Sequence, residues 1–134
     1  MEKFTREFIE NNRVTVMCDY HCDGLWIDDG PVNIKMVAEA YDIPLEGVVK
    51  LAYKIDNWQK LYELLDLNSE KIIQETYSTK DFKNFIDMGK EIAVELRDIL
   101  PSDVDVHYVD EETSKIYAVN FDHDFMFVKN YERD

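Results

Sequence analysis

The sequence predicts an α+β fold, with β-hairpins forming an antiparallel sheet packed against two main amphipathic helices in one compact domain spanning residues 1–134. Three observations predict it. Alternating, β-branched segments cluster near the two ends of the chain. Two stretches between them repeat apolar residues at steps of three and four. Neither an internal repeat nor a Gly/Ser linker divides the 134 residues, a length close to the commonest domain size.

Phe4, Phe8 and Ile9 stand at helical spacing, so the first dozen residues read as a short amphipathic helix ended at Asn11-Asn12. "RVTVMCDY" then alternates as a strand, "CDG" supplies the Asp-Gly pair favoured in tight hairpin turns, and "LWID" returns as its partner. "DDGP" closes that unit, and residues 34–41 form a short helix. A longer helix starts at Pro44, whose fixed φ suits a first helical position. Its stripe is Val48, Leu51, Ala52, Ile55, Trp58, Tyr62 and Leu65. Asn68 and Ser69 cap a further turn or two over "EKIIQETY". Ser78, with Asp81 three residues on, opens the last helix in an acidic version of a capping box. Phe82, Phe85, Ile86, Gly89, Ile92, Ala93, Leu96 and Ile99 line one face of it until Pro101. Gly89 costs about 1 kcal/mol of helix propensity there, which implies that a bulky neighbour such as Trp58 needs the space. "VDVHYVD", "KIYAVNF" and "FMFVKN" are closing strands, the first two joined across "EETS".

The chain carries 29 acidic against 15 basic side chains, a formal net charge of −14. Such a field repels nucleic acid and anionic lipid and attracts basic proteins, so neither direct nucleic-acid binding nor membrane binding is expected. No apolar run approaches the roughly 20 residues that cross a bilayer. The N-terminus lacks the pattern of a secretory signal, so a cytoplasmic location is expected, in which the two cysteines stay reduced. The acids are unevenly placed. Between Val14 and Ile34 stand Asp19, Asp23, Asp28 and Asp29 with no lysine or arginine, and a second group follows at Asp110, Glu111 and Glu112.

"VTVMCDYHCDG" gathers two cysteines, a histidine and two aspartates, but strand alternation sends Cys18, Tyr20 and Cys22 to one face and Asp19, His21 and Asp23 to the other. Four ligands converging on zinc are not expected from that spacing, and no metal or cofactor is assigned. Cys18 reads as a small buried hydrophobe and Cys22 as a residue beside a turn, with aspartates that raise its pKa and oppose a reactive thiolate. His107 reads as a half-buried sheet residue and His123 as a turn residue. No nucleophile, base and orienting group stand together, so the chain is not expected to be an enzyme. What remains is recognition by surface. Tyr20, Trp26, Tyr108 and Tyr117 fall in or beside the acidic β segments, and aromatics ringed by carboxylates suit a basic protein partner.

"VMCDYHCDGLWID" followed by a proline, "IDNWQKLYELL", and "DFKNFIDMGKEIAVELRDILPSDVDVHYVDEE" together resemble small acidic bacterial proteins of the polymorphic-toxin and contact-dependent-inhibition immunity type. The resemblance covers about residues 14–112 and ends before the tail from Thr113. His21 stands where a small residue is expected. What it implies is an immunity protein that neutralises a toxin domain, a nuclease being the expected type, by stoichiometric binding through its acidic surface. On that reading Asp19, Asp23, Asp28 and Asp29 pair with toxin Lys or Arg around an aromatic anchor at Trp26. Asp110, Glu111 and Glu112 form a second patch if the last hairpin lies beside the first. Two other readings stay open: a nucleic-acid mimic inhibiting a host DNA-binding defence protein, and a small metal-dependent hydrolase using the acids and histidines.

Overall fold

A computed structural model describes residues 11–19, 21–28, 30–65 and 79–131. The helices expected over the first dozen residues and over "EKIIQETY" lie outside them. The order is β1 (Arg13–Val16), β2 (Leu25–Ile27), β3 (Gly30–Val32), α1 (Ile34–Ala40), α2 (Val49–Leu65), α3 (Thr79–Ile99), β4 (Asp105–Asp110), β5 (Lys115–Val119) and β6 (Phe125–Asn130), with a short 3₁₀ turn, Leu45–Val48, leading into α2.

The α+β class holds, with one change to the sheet. Its six strands lie in the order β3-β2-β1-β4-β5-β6. Every neighbouring pair is antiparallel except β1 and β4, which run parallel with Val14 opposite Val106 and Val16 opposite Tyr108. The sheet is therefore mixed. Two antiparallel halves meet at its centre, because a chain that leaves β2–β3 through three helices re-enters beside β1 instead of beside an edge. β3 is an additional strand where "DDGP" was expected only to close the hairpin: Ile27 pairs with Gly30 across Asp28-Asp29.

The core lies between one face of this sheet and the helices. Val14, Val16, Leu25, Val106 and Tyr108 alternate onto that face and are fully or almost fully buried. From α2, Leu51, Ile55, Trp58, Tyr62 and Leu65 meet them, and from α3 Phe85, Ile86, Ile92, Ala93 and Leu96, so both expected stripes face the core. Trp58 stacks on Phe85 at 5.4 Å between ring centroids, and its Nε1–H donates to the Phe85 carbonyl at 3.0 Å. The buried Tyr108 hydroxyl reaches the Ile86 carbonyl at 3.4 Å. Burial, with Asp110 and Glu111 adding, pushes its pKa far above the usual phenol range. Arg97, 4% exposed near the end of α3, ties that helix to the following turn by donating from Nη1 to the Val104 carbonyl and from Nη2 to that of Pro101. No helix among the described residues is long and apolar enough to cross a membrane.

Candidate functional site

The opening hairpin is a hairpin, but its tip is not the Asp-Gly pair. The register that sets Val14 against Ile27 and Val16 against Leu25 continues to Met17, whose N–H donates to the Gly24 carbonyl. Cys22 N–H donates to the Asp19 carbonyl, so the chain reverses between those two residues, and His21 takes a left-handed φ of 59°. Gly24 stands on the returning arm at φ 83°, where a Cβ would lie 3.3 Å from the Trp58 ring. The inward fit against Trp58 fixes this register, and the turn follows from it.

Two side chains of α2 hold the tip. Gln59 is 6% exposed and donates from Nε2 to the Asp19 carbonyl at 2.6 Å, while Glu63 Oε1 accepts from the His21 N–H at 3.0 Å. Cys18 is buried and Cys22 half-buried. Burial raises the Cys22 pKa, and Asp19, Asp23 and Glu63 raise it further, the direction the sequence implied.

The face of the sheet turned away from the helices carries a cleft of about 710 Å³. Thr15, Met17, Trp26, His107, Val109, Ile116 and Val128 form its floor. Asp19, Asp28, Arg13, Lys129 and Tyr131 stand around it. Trp26 is half-buried, and its Nε1–H donates to the Met17 carbonyl at 2.9 Å, which fixes the ring across the floor. His107 sits half-buried in β4, as expected. Burial lowers its pKa, Arg13 and Lys129 lower it further, and Asp105 opposes them.

The candidate acids divide by position. Because β1 and β4 run parallel, the hairpin tip with Asp19 and Asp23 and the β4–β5 turn with Glu111 and Glu112 emerge at the same end of the sheet. Asp23 and Glu112 are exposed, and Asp19 and Glu111 half-buried. Asp110 differs from its neighbours: it is 3% exposed, and its Oδ1 accepts from the Glu112 N–H at 2.8 Å inside the turn. The turn uses its carboxylate. Asp28 lies at the opposite end, where its Oδ1 accepts from the Asn11 N–H at 3.1 Å and its φ of 54° suits a two-residue hairpin turn. Asp29 and Tyr20 lie outside the described residues. Tyr108 is core, and Tyr117 is half-buried against Phe125 and Phe127.

The sequence reading missed the floor residues Val109, Ile116 and Val128. The signal was present in "VDVHYVD": with Val106 and Tyr108 inward, alternation turns His107 and Val109 outward, so the outer face carries an apolar residue as well. Among the described residues no group of three or more His, Cys, Asp or Glu side chains could hold a metal ion.

The sheet thus carries helices on one face and, on the other, an open cleft with Trp26 in its floor and charges of both signs, Asp19 and Asp28 with Arg13 and Lys129, around it. Residues 12–111 match the Serratia CdiI immunity protein-like family, and the chain belongs to that family. Membership supports an immunity role, which implies a toxin partner and favours a non-enzymatic activity. No curated protein and no solved structure matches the chain.

Proposed function

We propose that this protein neutralises one toxin by stoichiometric binding, and that the toxin seats on the outer face of the sheet and on the acidic end beside it. The observation that supports this most is the fixed Trp26 ring in the floor of an open cleft with Asp19 and Asp28 at its rim. A half-buried, preorganised aromatic amid charged side chains, Asp19 and Asp28 with Arg13 and Lys129, has the composition of an interface anchor. Trp26 supplies buried area at little entropic cost. Asp19, Asp23, Glu111 and Glu112 together make the end of the sheet negative, so they speed encounter with a basic surface and select its orientation.

A toxin whose catalytic cleft binds phosphates is the best complement. Its Lys and Arg residues would face carboxylates placed where substrate phosphates would otherwise sit, and binding would exclude substrate without any chemistry by this chain. A nuclease fits that description. Asp28, with Asp29 beside it in sequence, engages the toxin from the other end of the cleft. Asp110 supports the Glu112 turn and makes no direct contact.

The test is capture from a native bacterial lysate at low and at high salt, followed by a neutralisation assay with the captured polypeptide. The expected result is one basic polypeptide, released as salt rises and inactivated at one equivalent. Capture of several unrelated DNA-binding proteins instead of one toxin would contradict recognition of a single toxin and favour a nucleic-acid mimic.

A further inference from the structure

The two edges of the sheet differ in kind. β3 is three residues long and contains Pro31, whose missing N–H blunts an edge against further pairing. β6 is six residues long, has no proline and stands last in the sheet order. Among the described residues no strand lies along its outer side, which leaves a row of backbone N–H and C=O groups there. The side chains of this edge are apolar and open: Met126 is 55% exposed, Phe127 57% and Val128 42%.

The charges at this edge do not share the overall excess of acid. Against 29 acids and 15 bases overall, Asp122 and Asp124 precede β6, Lys129 lies within it, and Lys115 on β5 places Nζ 5.6 Å from the Phe127 ring centroid. The signs balance, so the local repulsion between two copies of an acidic chain is reduced here. They are also ordered along the strand, acid first and base last. A basic partner would meet Lys115 and Lys129, whereas an antiparallel copy of β6 meets the opposite sequence of charges.

We propose that β6 pairs antiparallel with β6 of a second copy, about a two-fold axis through the sheet near Met126 and Phe127, joining the two six-stranded sheets edge to edge. The contact is isologous. It brings Asp122 and Asp124 of each copy beside Lys129 of the other, and it places Met126 on one face and Phe127 on the other near their symmetry mates. Val128 has no partner on β5, because the register shifts between Ile116 and Tyr117; this bulge falls toward the lysine end of the strand, beyond the centre of pairing. Edge pairing uses the backbone of β6, and it engages Lys129 at one side of the outer cleft while Trp26 and Asp19 stand away from it, on and beyond β2 and β1.

The test is sedimentation of the full chain over a concentration series. The expected result is a monomer–dimer equilibrium whose dissociation constant rises on the order of tenfold or more in Phe127→Lys, a site exposed enough for the variant to keep its fold by circular dichroism. Asp124→Lys alone weakens the dimer, and adding Lys129→Asp restores it. A wild-type chain that stays monomeric throughout, or a dimer unchanged by Phe127→Lys and by the charge reversal, would overturn the proposal.

Discussion

Gly89 on α3 lies directly against the indole of Trp58 on α2: a Cβ at this position would stand 2.8 Å from Trp58 Cζ2 and 2.9 Å from Tyr108 Cε1. Real Cβ atoms do not approach so closely, so the glycine lets α3 settle onto the aromatic layer and the sheet at once. Gly89→Ala gains about 1 kcal/mol of helix propensity but overpacks a rigid site at about 1–3 kcal/mol. The expected net is a loss of stability, read as a lower urea midpoint at unchanged m-value. Gly47→Ala is the matched control, since nothing lies within 4 Å of a Cβ there, and it should leave the midpoint unchanged or raise it.

Gln59 positions the acidic hairpin tip through its 2.6 Å bond to the Asp19 carbonyl. Gln59→Leu removes that donor, although the native Gln59 Oε1 is itself buried without a hydrogen-bond partner, which offsets part of the cost. A loss of about 1 kcal/mol is expected. Hydrogen exchange gives the more specific readout: amides of the hairpin should exchange faster while those of α3 stay protected. Uniform acceleration across the chain would show a global effect and no positioning role.

His107 gives the cleft a pH signature. Burial, Arg13 and Lys129 lower its folded-state pKa below the ordinary 6.5. Below about pH 6.5 the unfolded chain takes up a proton that the folded chain resists, so this residue makes stability fall as pH drops through that window and adds no slope above it. Between about pH 7 and about pH 5 the wild-type urea midpoint should therefore decline more steeply than that of His107→Gln. Parallel declines would remove His107 as the cause.

Cys22 should be a sluggish nucleophile although it is half-buried and not fully enclosed. Alkylation by iodoacetamide at neutral pH is expected to be slower than for a free thiol of ordinary pKa, and Asp19→Asn with Asp23→Asn should accelerate it. Fast labelling of the wild type would contradict the acidic surroundings.

The two main helices were legible in the sequence because each buries one stripe, and Gly89 even predicted its neighbour. The "EETS" turn was legible for a similar reason, since it separates two strands that are adjacent in the chain. The parallel join of β1 and β4 was not: it pairs residues some ninety positions apart, and nothing local in "RVTV" or "DVHYVD" specifies a parallel partner. The hairpin tip was misplaced because Asp-Gly is a strong local turn signal, yet the fit of Gly24 against Trp58 overrode it. Asp110 read as one of three equivalent acids, whereas its parity with Tyr108 turns it inward and Glu112 draws on it as a turn acceptor. The cleft was legible only in parts, because its floor is assembled from five strands.

The most direct measurement is the association and dissociation kinetics of the captured toxin with the wild type, with Asp19→Lys/Asp23→Lys and with Trp26→Ala, at low and high salt. The double reversal should slow association and flatten its salt dependence, while Trp26→Ala should speed dissociation, weakening binding by on the order of 2 kcal/mol, about thirtyfold in Kd. Rates unchanged in both variants would contradict docking on the outer face and its acidic end.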